Sequence, residues 1–124
     1  IEKEVAVERV AGPRVRRVEY LRPLVIKALD NETRWRILQL LIDAKDRLSF
    51  VEIRRQFRGM SNASLSHHLN ILQRAALVER TVNLASPRTA EDPYYCYYAL
   101  TKFGRAIATK IYEAVSESAE LVSL

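Results

Sequence analysis

The stretch from Ser49 to Val78 admits few folds, because it encodes two helices separated by too few residues for anything but a tight turn. Ser49-Phe50-Val51-Glu52 is a capping box: the serine oxygen can accept from the third amide while the glutamate returns to the cap amide. A short helix running to about Phe57 is the expectation. Arg58-Gly59-Met60-Ser61 then supplies a turn, with Gly59 able to take positive φ, and Ser61 or Asn62 can cap the next helix. Over residues 63–75, an advance of about 100° per residue groups Leu65, Leu69 and Leu72 with Ala76 on one side and puts His68 at its edge. Ser64, Ser66, His67, Asn70 and Arg74 form the polar side. Short hydrogen-bonding side chains and a terminal arginine, in place of solubilising Glu and Lys pairs, suit contact with base edges and phosphates.

The flanks extend this helix-turn-helix. Upstream, Asp30 or Asn31 can cap a helix from Glu32 to about Ala44, in which Ile37, Leu38, Leu41 and Ile42 make a buried stripe. Arg34 and Arg36 are interleaved with it and are expected on the wet face. Pro23 to Ala28 predicts a short apolar helix. Residues 1–22 read as an N-terminal arm or hairpin, since valines alternate with charges around the turn-like Ala11-Gly12-Pro13. Downstream, Leu77 to Val82 predicts a strand, Asn83 to Pro93 a long loop carrying Arg88, and Tyr94 to Leu100 a returning strand. Two antiparallel strands after a polar-faced helix make a wing. Alternation sends Tyr94, Tyr95, Tyr97 and Tyr98 to opposite faces, so two of them pack.

Thr101 caps a final helix, residues 102–124, with apolar positions Phe103, Ile107, Ile111, Ala114, Val115, Leu121 and Val122. This stripe exceeds what one small core can cover, and a two-fold homodimer through Phe103, Ile107, Ile111, Val115 and Leu121 is the expected remedy. The predicted fold class is therefore mainly α with a small antiparallel β-wing, a dimeric winged helix-turn-helix with its DNA-binding unit at residues 23–101.

Charge supports a polyanionic partner. The 124 residues carry a net charge of +5, and no acid lies between Glu52 and Glu79, where Arg54, Arg55, Arg58 and Arg74 fall. With Arg88 of the loop, these arginines are the candidate phosphate contacts. Asn62, Ser64, Ser66, His67 and Asn70 are the candidate base readers, the partner being double-stranded DNA. His68, beside the buried stripe, reads as structural, and Trp35 as packing.

The densest segments are Ala28-Leu29-Asp30-Asn31-Glu32-Thr33-Arg34-Trp35-Arg36-Ile37-Leu38 and Leu65-Ser66-His67-His68-Leu69-Asn70-Ile71-Leu72-Gln73-Arg74-Ala75-Ala76-Leu77-Val78. They resemble the ArsR-type (arsenic-repressor-like) family of prokaryotic winged helix regulators over about residues 24–104. The second is similar to that family's Ser-x-His-Leu-x-x-Leu-x-x-Ala-Gly-Leu-Val signature, with Ala76 where glycine is usual. Tyr98-Ala99-Leu100-Thr101 followed by Gly104 resembles the family's exit from the wing. The resemblance implies a transcription regulator, a repressor in its commonest form. Metal sensing is not carried over, because the sequence lacks the cysteine or histidine-and-acid clusters of metal-sensing relatives.

Other classes are disfavoured. Cys96 is the single cysteine, and His67 and His68 are adjacent on a helix, so no metal or cofactor is expected. No Gly-rich phosphate loop, HExxH or CxxC is present, so an enzyme is not expected. No apolar run is long enough to span a bilayer and no signal peptide opens the chain, which predicts a cytoplasmic protein with no membrane partner. Two alternatives stay open at this point: an effector-responsive repressor with a small-molecule pocket, its effector unknown, and a winged helix used for protein assembly.

Overall fold

The computed structural model describes the backbone of residues 11–82 and 96–123, and the side chains of residues 19–82 and 96–120. Five helices and a three-stranded sheet follow in the order α1 (Ala11–Leu29), α2 (Glu32–Asp43), β1 (Leu48–Ser49), α3 (Phe50–Arg54), α4 (Asn62–Arg74), β2 (Val78–Val82), β3 (Cys96–Leu100) and α5 (Lys102–Ser123). Among the described residues no helix is long and apolar enough to cross a membrane.

The N-terminal reading needs correction. Residues 11–22 are not a hairpin or arm, and residues 23–28 are not a separate helix: both belong to α1, with Pro23 inside it. The alternation of valine and charge gave a period of two, but Leu21, Leu24, Val25 and Ala28 continue one helical stripe straight across the proline, and these are the half-buried or buried positions. Packing of that stripe against α4 and α2 outweighs the backbone hydrogen bond that Pro23 removes. The arm assigned to residues 1–10 lies outside the described residues.

The central helices form as their caps predict. The Asn31 side chain accepts from the Arg34 amide at 3.0 Å and starts α2. The Ser49 hydroxyl accepts from the Glu52 amide at 3.1 Å and the Glu52 carboxylate accepts from the Ser49 amide at 2.8 Å, completing the capping box of α3. These hydrogen bonds to Ser49 favour the charged form and lower the Glu52 pKa. Gly59 takes φ +82°, the left-handed turn foreseen for it, and the Ser61 hydroxyl accepts from the Ser64 amide at 3.1 Å to open α4.

Ile37, Leu38 and Leu41 of α2, Phe50 and Ile53 of α3, and Leu65, Leu69 and Leu72 of α4 converge on one core. Trp35 packs against its edge, as expected of it. The sheet closes the other side in the order β1-β3-β2, antiparallel throughout, with Val78 opposite Leu100 and Val82 opposite Cys96. The third strand, β1, pairs Leu48 with Tyr98; two residues long, it has too little pattern to be seen in the sequence. Alternation holds on β3, where Cys96 and Tyr98 are buried and Tyr97 faces out beneath the Arg47 guanidinium, 4.4 Å from the ring centroid. Burial raises the Tyr98 pKa. The wing loop, with Arg88, Tyr94 and Tyr95, lies outside the described residues.

One backbone crossing sets the direction of α5. After α4 the chain turns through Ala76, the one residue other than glycine with positive φ among those described, at 61°; this is the position where the resembled signature has glycine. The Thr101 hydroxyl then donates to the Ala76 carbonyl at 2.6 Å and accepts from the Gly104 amide at 2.8 Å, joining the end of α4 to the start of α5. Gly104 passes so close to Leu77 that a Cβ on it would overlap the Leu77 carbonyl. Gly104→Ala is therefore expected to cost about 2 kcal/mol or more, because only backbone movement relieves the overlap. Gly59→Ala meets open space and only the left-handed penalty of about 1 kcal/mol. Equal losses for the two in urea unfolding would refute the close crossing.

Candidate nucleic-acid interface

Helix α4 is divided lengthwise. Leu65, Leu69 and Leu72 are buried, whereas Ser64, His67, Asn70 and Arg74 are exposed along one stripe at helical spacing. Ser66 is half-buried at the stripe's edge. Asn62, named with the base readers, has its amide oxygen buried, so that oxygen cannot reach a base edge. Arg54 and Arg55 at the end of α3 and Arg58 in the turn are exposed, on the approach to the N-terminus of α4.

Arg34 departs from the sequence reading. Expected on the wet face, it is 6% exposed and forms the join between three helices. Its Nε donates to the Ala28 carbonyl at 2.9 Å and its Nη2 to the Lys27 carbonyl at 3.0 Å. Both acceptors lie at the C-terminus of α1, where helical carbonyls lack intrahelical partners and the macrodipole favours a cation. Its Nη1 lies 3.1 Å from Nδ1 of His68 on α4. A guanidinium has no lone pair to offer, so Nδ1 accepts and the imidazole proton sits on Nε2. The structural role read for His68 is thereby specified: it holds the recognition face in register with α1 and α2.

This contact favours the neutral form of His68 in the folded state. Burial, then the Arg34 charge, then His67 push the His68 pKa below its ordinary value of 6.5. The adjacent His67 ring, 5.8 Å away centroid to centroid, is exposed on the polar stripe. Arg36, expected on the wet face, is exposed there, but its stacking 4.8 Å over the Phe57 ring links α2 to the segment that follows α3, a contact no sequence spacing signals.

On α5, Gly104 and Ala108 are buried and Ile107 and Ile111 half-buried, while Phe103 is 41%, Tyr112 54% and Val115 61% exposed. The helix runs past the end of the core and carries its apolar stripe with it. The Leu121 side chain lies outside the described residues. Among the described residues no three His, Cys, Asp or Glu side chains gather where a metal could sit, and Cys96 is buried in the sheet.

The arrangement is a winged helix: a helix-turn-helix whose second helix exposes a polar stripe, followed by two paired strands. Residues 29–81 match a family described as a helix-turn-helix domain. Fold, interface and domain together define the chain as a winged helix-turn-helix transcription regulator that binds DNA. It is similar to HlyU from Vibrio cholerae N16961, at 26% identity over 77% of this chain and 92% of that one, with a TM-score of 0.58. It is also similar to the reduced form of the transcriptional regulator YodB from B. subtilis, at 25% identity over 74% and 82%, TM-score 0.56. A transcriptional regulator homologue from Pyrococcus horikoshii OT3 shares the fold at 20% identity over 86% and 99%, TM-score 0.64. No curated protein matches the sequence.

A pH prediction follows from His68. A base whose pKa is lowered on folding binds fewer protons in the native state than in the unfolded one, so its contribution is fully present above about pH 6.5 and is lost as pH falls through the lowered value. Urea unfolding should show the wild type losing stability from pH 7.5 to 5 more steeply than His68→Gln. Parallel profiles would remove His68 from this role.

Proposed function

We propose that the chain is a homodimeric, sequence-specific regulator of the ArsR type that inserts α4 into the major groove of double-stranded DNA. The observation that carries the reading is the exposed stripe of Ser64, His67, Asn70 and Arg74 on a helix whose opposite face is locked into the core. Asn62, Ser64, Ser66, His67 and Asn70 are the base readers, the buried Asn62 oxygen leaving only that residue's amide nitrogen for a base edge. Arg54, Arg55, Arg58 and Arg74 hold phosphates, with Arg88 doing so from the wing. The likeness to HlyU and to the regulator YodB supports the regulatory role.

The same reading takes the exposed Phe103, Tyr112 and Val115, with Ile107, Ile111 and Leu121, as a two-fold interface that sets the spacing of two half-sites. It requires no metal or cofactor, and the chain acts by binding rather than catalysis.

Selection of bound duplex from a random-sequence pool tests this reading. An inverted repeat with half-sites about one helical turn apart is expected, bound by a species of twice 14.3 kDa in sedimentation. His67→Ala or Asn70→Ala should lose about 1 to 3 kcal/mol at particular base positions and little on random duplex. Absence of enrichment, or a monomer on an asymmetric site, would overturn it.

A further inference from the structure

Between the first half of α2 and the α3–α4 turn lies an open cleft of about 630 Å³ lined mainly by polar side chains, with Phe57 and Met60 as the apolar members. Arg36 enters from α2, Arg55 from the end of α3 and Arg58 from the turn, with Thr33 and Gln56 beside them. No carboxylate is among the lining residues. The Glu52 carboxylate, which feels the Arg55 charge, accepts from the Ser49 amide in the capping box.

Three guanidinium groups around one opening, with no carboxylate in its lining, give it a positive field that an anion would relieve. Arg36 is also biased in orientation: its guanidinium rests over the ring of the buried Phe57, which favours one placement of the head before a ligand arrives. Planar forks presented from three directions match a tetrahedral oxyanion with several acceptor oxygens, which arginine binds in bidentate fashion. Met60 also lines the cleft, one residue before the Ser61 cap of α4, so the opening adjoins the start of the recognition helix.

We propose that this cleft is a phosphate-binding site built by Arg36, Arg55 and Arg58, with Arg36 its pre-oriented member, and that it seats a backbone phosphate of the duplex flanking the groove occupied by α4. The proposal rests on the DNA-binding reading above and adds to it a helix, α2, that the recognition stripe does not include. The same chemistry could be met by a phosphate group on a free small molecule, and the two sources separate by experiment.

The test uses the full chain and Arg36→Gln, Arg36→Lys and, as a control on α5 outside the cleft lining, the exposed Arg105→Gln. Affinity is measured against salt for a selected site and for random duplex, and melting is compared in inorganic phosphate and in chloride at equal ionic strength. Arg36→Gln is expected to weaken both duplexes alike and to lower the salt slope by about one unit; Arg36→Lys, which keeps the charge, should retain the slope, as should Arg105→Gln. An unchanged slope together with a phosphate-specific rise in melting temperature that Arg36→Gln abolishes would assign the cleft to a free phosphorylated ligand. An unchanged slope with no phosphate-specific stabilisation would overturn the site, while duplex binding by the wild type left the regulator reading standing. If the wild type bound no duplex, that reading would fail, and the phosphate melting series alone would decide the cleft.

Discussion

The guanidinium of Arg34 is the contact on which the rest of the DNA-binding unit depends. It is buried, it satisfies two terminal carbonyls of α1, and it reaches His68 on α4, while its own backbone amide is fixed by the Asn31 cap of α2. Hydrogen bonds from a charged donor contribute about 1.5 to 3 kcal/mol each, but desolvating the ion offsets much of that gain. The larger effect is on register. Losing any one partner leaves a buried donor without its acceptor, so the three helices are held to an arrangement that brings both carbonyls and the imidazole to the guanidinium. That arrangement turns His67, Asn70 and Arg74 outward.

Neighbouring histidines thereby acquire opposite duties. His67 and His68 leave α4 about 100° apart. One turns inward, where burial and then the Arg34 charge favour its neutral form; the other stays on the exposed stripe. Adjacent residues of one type are separated by geometry alone, and the same geometry prevents the pair from closing on one metal ion. On α2, Arg34 and Arg36 are divided in the same way, one sealed among carbonyls and the other laid over Phe57 at the cleft.

The far end of the chain is governed by a steric constraint rather than a polar one. Thr101 bridges the end of α4 to the start of α5, and the missing side chain of Gly104 lets α5 cross the Leu77 carbonyl. The direction so imposed carries α5 beyond the core, with Tyr112 and Val115 uncovered. A small unit cannot bury a helix of 22 residues along its whole length.

Local chemistry made much of this legible in advance. Capping at Asn31, Ser49 and Ser61, the left-handed turn at Gly59 and the leucine stripe of α4 depend on residues within one or two helical turns of each other, so the sequence by itself determined the helix-turn-helix and the polar stripe. Other features depended on partners distant along the chain. The extent of α1 was misread because its valines alternate with charges, and only docking on α2 and α4 makes a continuous helix through Pro23 the better choice. β1 exists because β3 offers it a partner. By sequence Arg34 belongs in water, since an arginine between apolar residues is ordinarily solvated; the carbonyls of Lys27 and Ala28 and the ring of His68 that make its burial possible meet only after α1 and α4 have packed. Periodicity and caps are short-range and can be read from neighbours, whereas the burial of a charge is decided by the polar groups that tertiary packing brings to it.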